Sequence, residues 1–461
     1  MAEDRGKLTT VVWPEVFPWL NLVTALRLAF NPRALIFAAL AWVAVTAGWR
    51  VCGAIFQGAV TIPPESHFAG TIAGVGEWPW NAAPPLAAWW LPDQRALPAV
   101  AKASGVRPDV GGAERISNPV WWWLESPMVQ GHLRLAAPFI GMFNPEISLG
   151  EFLFLFCCGL WELAVWSYLG GAITRLAAVA LAREELLSWT FLACYAQRKW
   201  PSYFAAPLFP LFGVSLAAVP LALFGVLLRG DLGLVIAGAL WFLVLLAGVF
   251  MAVLLVGLFF GFPLMWATIS AEGTDAFDAL SRSYAYTYQR PLLYVLYSMV
   301  AGALGMLGWI VVAIFTAAVV DLGAWGVSWL SGGLVPLETS TYLPWGSVLA
   351  HGGNLVPSDI NPLSPTGELG LRLIRFWIDL AVTVATAFVF SYFWTANTAI
   401  YFLLRRHVDA TEMDEVFVPD EADHGLPPLA HDAAGVPGVA DAPAAGSETI
   451  PTPAPGGTPI P

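Results

Sequence analysis

The chain has 461 residues, of which 57% are hydrophobic and only 12% charged, and its mean hydropathy is +0.67. Soluble globular chains are about 25% charged, so a set of water-soluble domains of this length is excluded. The formal charge of −12 sits mostly at one end: no Lys or Arg follows Arg406, while ten acids run from Asp409 to Glu448, and without them 23 acids face 21 bases. No basic patch is left to neutralise phosphates, which excludes a nucleic-acid partner.

In chain order, residues 1–33 form a polar lead. Its segment from Glu15 to Pro32 is amphipathic, with a polar stripe at Asn21, Thr24, Arg27 and Asn31. Because the first long apolar run starts behind this lead, near Ala34, it reads as a retained anchor and not as a cleavable signal. A spanning helix needs about 20 mostly apolar residues. Six runs within residues 34–405 qualify, at about 34–57, 149–178, 203–229, 232–268, 292–321 and 373–404. The expected fold class is therefore an all-α integral membrane protein with six transmembrane helices.

The fourth run is long, with no charge from Leu232 to Ala271. It is expected to be one helix kinked near Gly261-Phe262-Pro263, with two short spans as the alternative. The distribution of basic residues decides between them. With six spans and a cytoplasmic N-terminus, Arg5, Lys7, Arg27, Arg33, Arg183, Arg198, Lys199, Arg282, Arg290, Arg405 and Arg406 all fall inside, and the outer stretch 291–371 holds no Lys or Arg. Both termini are then cytoplasmic, in a plasma membrane of bacterial type.

Three inner segments, from Glu15 to Pro32, Arg183 to Pro201 and Glu272 to Pro291, are amphipathic and end in a proline that leads into a span. They are expected as interfacial helices. In the third, Phe277, Leu280, Tyr284 and Tyr288 share one face, and Asp278 with Arg282 forms an i,i+4 pair on the other. Leu187-Ser188 with Gln197-Arg198 parallels Leu280-Ser281 with Gln289-Arg290, which suggests an internal repeat of helix, interfacial helix and helix.

The stretch Ser270–Pro291, SAEGTDAFDALSRSYAYTYQRP, carries Glu272, Gly273, Ala279, Leu280, Arg282 and Ser283. It resembles the E-G…A-L-x-R-S signature of a bacterial family of multi-pass membrane domains, which includes the membrane domain attached to some glycerophosphodiester phosphodiesterases. The resemblance implies a fold and assigns no chemistry. This chain has no room for the soluble phosphodiesterase barrel, and it adds Trp-rich outer loops.

Those loops, about 58–148 and 322–371, hold Trp78, Trp80, Trp89, Trp90, the run Trp121-Trp122-Trp123, and Trp325, Trp329 and Trp345. Tryptophan favours the headgroup zone, so they are expected to lie on the outer leaflet or to form a cap. An aromatic surface for a ligand is the sharper alternative. Residues 406–461, rich in Pro, Ala and acids, are expected to be a disordered cytoplasmic tail.

Intramembrane charges are the best pointers to function. Glu162 sits mid-span in the second run, and Arg372, Arg375 and Asp379 lie at the outer end of the sixth. Arg375 and Asp379 are spaced for an ion pair. Glu162 has no local partner, so it should face the bundle interior, a cavity, or Arg372 across helices. Cys52, Cys157, Cys158 and Cys194 form no C-x-x-C pair and read as inert thiols. His67, His132 and His351 fall in the outer stretches far apart, without a metal-binding pattern. No phosphate loop or nucleophile elbow is present, so no catalytic residue, cofactor, metal or nucleotide is expected. Partners are the lipid bilayer and, in the leading reading, other membrane proteins.

That leading reading is a non-enzymatic component of an envelope or membrane complex. A passive or secondary transporter of an ion or of a small polar or lipid substrate is the alternative, and a membrane-embedded enzyme acting on lipid is the third.

Overall fold

The computed structural model describes residues 17–56, 123, 126–143, 147–329, 365–417, 430–431 and 437–438. It shows an all-α membrane protein in which six helices are long and apolar enough to cross a bilayer. After a single 3-10 turn at Pro18–Leu20 come α1 (Asn21–Ala29), α2 (Pro32–Ile55), α3 (Pro127–Gly141), α4 (Leu149–Arg183) and α5 (Trp189–Phe224). A second 3-10 turn at Gly225–Arg229 leads to α6 (Asp231–Ala239), α7 (Trp241–Glu272), α8 (Ala276–Gln289), α9 (Pro291–Ser328) and α10 (Pro365–Val408).

The helix starts follow capping chemistry. The side chains of Asn31, Ser126, Ser148, Ser188 and Asp275 each accept a hydrogen bond from a backbone N–H of the first turn, and Pro32, Pro127 and Pro291 occupy first-turn positions that need no donor. At Ser148 the bond is reciprocal, because the Glu151 carboxylate accepts from the Ser148 N–H.

Helix α10 is the central pole. Every residue from 385 to 405 is buried, and α1, α2, α3, α4, α7 and α9 all pack on it. Several of its polar residues bond within the helix: the hydroxyls of Thr386, Thr395 and Thr398 and the Asn397 amide donate to carbonyls one turn back. An apolar surround demands this economy, since no water is available there. By contrast α5 and α7 expose Phe212, Leu216, Phe242, Leu245, Leu246 and Val249. Helices apolar on all sides suit a lipid surround.

Three expectations from sequence are corrected. The fourth run does not form one helix kinked at Gly261–Pro263. It breaks at Leu240 into the nine-residue α6 and a single span, α7, which continues through Pro263. The 32 residues of α7 already reach about 48 Å at 1.5 Å per residue, so the remainder turns back onto Gly225–Arg229. The second amphipathic segment is not a separate helix either. Helix α4 absorbs its start, and α5 begins behind the Ser188 cap and passes through Pro201. The third segment does stand alone as α8, so the two segments with shared wording fold differently. Finally, the first outer stretch contains α3, whose Met128, Gly131, Leu133, Leu135, Ala137 and Pro138 are buried among α4, α9 and α10.

Helix α3 starts deep in the bundle. A Cβ on Gly302 would lie 3.2 Å from the Ser126 hydroxyl, and the Asn397 amide meets the Met128 sulfur at 3.6 Å. Each contact is about 16 Å along α9 or α10 from the helix end nearest the basic residues. From there α3 runs toward the opposite end, where Phe139 packs on Gly159 of α4. Helix α3 thus begins within the bundle and is surrounded there by α9 and α10.

The motif Glu272, Gly273, Ala279, Leu280, Arg282 and Ser283 builds the α7–α8 corner. Gly273 takes the left-handed conformation that ends α7, at φ 66°. The Lys199 ammonium donates to its carbonyl. Glu272 binds the Arg282 guanidinium at 2.7 Å and Arg405 at 3.7 Å, and accepts the Tyr401 hydroxyl. Burial works against the Arg282 charge, but the carboxylates of Glu272 and Asp278 still raise its pKa above the ordinary guanidinium value. Ala279 and Ser283 are fully buried, and the Ser283 hydroxyl donates to the Leu280 carbonyl. Ser283 and Tyr284 fill the spaces over Gly261 and Gly257 of α7, so this Gly-x-x-x-Gly pair is a close helix contact.

After α10 the chain folds back: Arg405 donates to the carbonyls of Glu412 and Glu415 at 3.0 and 2.6 Å, and Tyr286 donates to Asp409. Truncation after Asp420 is therefore expected to leave the melting temperature in detergent unchanged. Truncation after Val408 removes the acceptors of Arg405 and should lower it by several degrees; equal melting of the two truncations would show that 409–416 adds nothing. Beyond Val416, the described residues include a two-residue antiparallel pair, Ala430–His431 with Pro437–Gly438. The rest of the acidic tail, and the tryptophans of the outer loops other than Trp123, Trp325 and Trp329, lie outside the described residues.

Candidate functional site

Glu162 stands on α4, two turns before the buried Gly170-Gly171 pair, and is itself 3% exposed. The Trp49 indole of α2 is the donor beside it, yet neither the indole nitrogen nor the Oε2 of the carboxyl makes a hydrogen bond of good geometry. Of the three surroundings that the sequence left open for Glu162, the structure places it at a cavity in the bundle and not against Arg372. Arg372 is exposed and Asp379 half-buried, and neither lines the space around Glu162. The Arg375 side chain, and with it the expected Arg375–Asp379 pair, lies outside the described residues.

Glu162 borders a cavity of about 340 Å³. Helix α3 contributes His132, Leu135 and Phe139 to its wall, α5 contributes Pro207 and Leu211, and α7 contributes Phe259, Phe262 and Trp266. Glu162 and His132 are the polar side chains of this wall. His132 is wedged between rings, 4.4 Å from Phe259 and 6.0 Å from Phe393. Phe143, Val256 and Phe259, which also border the cavity, are 50%, 46% and 40% exposed. Among the described residues, the cavity therefore opens between α3 and α7, beside exposed apolar side chains.

Comparison with family models, with curated proteins and with solved structures finds no match to this chain. What the site can do is thus argued from its own chemistry.

The volume falls at the lower end of the range for small-molecule sites, which are typically apolar with a few placed polar groups. A side entrance walled by phenylalanine admits a molecule dissolved in lipid more readily than one dissolved in water. Sequence reasoning singled out Glu162, weighed His132 only as a metal ligand in an outer stretch, and did not see the α3 wall. The signal was present: Ser126-Pro127 is a good helix start, and Leu133, Ala137 and Ile140 recur at helical spacing.

Proposed function

We propose that this protein takes a lipid-soluble molecule from the bilayer into the cavity beside Glu162, as a passive or secondary transporter does. The observation that carries the reading is the side entrance at Phe143, Val256 and Phe259, which leads from the apolar flank to a buried carboxyl. The motif around Glu272 is fully employed in holding α7, α8 and α10 together, and supports no chemistry of its own.

Filling the cavity tests this. In vesicles of phosphatidylcholine carrying a photoactivatable acyl chain, crosslinks are expected on peptides of α3 and α7. Leu211→Trp, which adds bulk at the half-buried wall of α5, should reduce them at least fivefold while the protein remains folded. Undiminished crosslinking in the filled variant would overturn the proposal.

The frame proposed for this activity is a bacterial-type plasma membrane with both termini in the cytoplasm, supported by the sorting of basic residues. Reporter fusions after Arg282 should then report a cytoplasmic position, and fusions after Asp359 an external one. The reverse pattern would invert the topology.

A further inference from the structure

Glu162 is a carboxyl in an apolar wall, and a carboxylate there needs a positive partner. Among the described residues that line the cavity, none is a lysine or an arginine. From α3, His132 lines the same cavity, while Arg134, two residues on, lies over the Trp42 ring at 5.1 Å. From α2 Glu162 meets Trp49, and on its own helix Cys158, which lies next to Cys52 of α2. The described residues of the α5 and α7 walls, including Pro207, Leu211, Phe259 and Trp266, bring no titratable group.

Two positive partners can reach this carboxyl: a proton, or a cation that arrives with the ligand. A cation soluble in lipid must be large, apolar on its outside and of delocalised or shielded charge. Such a molecule matches the aromatic wall as well, because Phe259, Phe262 and Trp266 present ring faces and edges to the space, and a cation over an aromatic face is attracted to it. We infer that the cavity binds lipophilic organic cations in exchange for the proton on Glu162. The inference rests on the proposed cavity function and specifies its substrate class. In the exchange the Glu162 carboxylic acid loses its proton to water, and the carboxylate left behind pairs with the incoming cation, so charge within the cavity is conserved.

The test uses the full chain in phosphatidylcholine nanodiscs with tetraphenylphosphonium as the probe. Binding is measured by calorimetry in buffers of different ionisation enthalpy, which counts the protons released. One proton per bound cation is expected below the pH at which the site empties of protons, with affinity rising about tenfold per pH unit there. Glu162→Gln should weaken cation binding at least tenfold and abolish the proton release. Glu162→Asp keeps a carboxyl and should keep the release, and it serves where the Gln variant does not fold. His132→Gln should leave the proton count at one. Binding without proton release in the wild type would overturn the exchange, and so would unchanged cation binding in Glu162→Gln. If release is lost in His132→Gln and kept in Glu162→Gln, the proton resides on the imidazole and the assignment is wrong. Loss of crosslink reduction in Leu211→Trp would instead sink the cavity itself, so the two failures are distinguishable.

Discussion

Replacing Glu272 by Ala is expected to destabilise the protein by about 3–5 kcal/mol, the usual cost of leaving a buried charge without its partner. The carboxylate is 14% exposed and holds three groups at once: Arg282 from α8, and Arg405 and Tyr401 from α10. Arg405 is only 4% exposed, so it has little water to fall back on. Its bonds to the carbonyls of Glu412 and Glu415 survive the change, which places the loss at the lower end of that range. Glu272→Gln keeps an acceptor for Tyr401 and should cost less. Asp278→Ala provides the contrast. Asp278 contacts the same Arg282 at 3.7 Å, but the two side chains are 52% and 41% exposed, and exposed pairs contribute about 0–1 kcal/mol. Denaturation in mixed micelles orders the three variants. If Glu272→Ala and Asp278→Ala unfold alike, the motif is not the clasp between α7, α8 and α10.

How far the sequence reveals this molecule depends on the range of the interaction involved. Spans are local properties, and the six apolar runs correspond to α2, α4, α5, α7, α9 and α10. The break at Leu240 was not legible, because hydropathy is uniform from Leu232 to Ala271 and nothing in it marks where one helix stops. Helix α3 escaped for a related reason. A 15-residue segment holding Gln130, His132 and Arg134 fails any test for a spanning helix, and only the surrounding bundle makes its burial tolerable. Pro201 misled in the other direction. It reads as a helix start, as Pro32 and Pro291 do, but Ser188 had already capped α5.

The candidate site divides in the same way. Glu162 stands out in sequence because an acid amid apolar residues is costly and rare. Its cavity does not, since the wall is drawn from α3, α4, α5 and α7, and His132 and Trp266 are far apart in the chain. Glu272 could be matched to Arg282 through their shared corner, whereas Arg405 lies more than a hundred residues away.

Trp394→Ala is expected to cost about 3 kcal/mol, near the lower limit for removing a buried large aromatic side chain. The indole is fully buried on α10 and stacks on Trp266 with centroids 4.5 Å apart and planes 11° from parallel. Phe262, Phe393 and Trp166 complete its surround at 5.7, 4.8 and 6.1 Å. In a bilayer the unfolded helices are already in an apolar solvent, so the transfer term is small. The loss comes instead from dispersion contacts and from the void left behind. The Trp394 indole nitrogen has no hydrogen-bond partner, so Trp394→Phe, which keeps a ring for stacking, should retain most of the stability. Trp266 connects this core to the proposed site, because it also forms part of the cavity wall. Without Trp394 behind it, Trp266 can retreat and enlarge the space beside Glu162. Trp394→Ala should therefore lower the melting temperature and raise acyl-chain crosslinking together, whereas Phe242→Ala on the exposed face of α7 changes neither. A destabilised Trp394→Ala protein with unaltered crosslinking would show that the stack supports the fold without shaping the cavity.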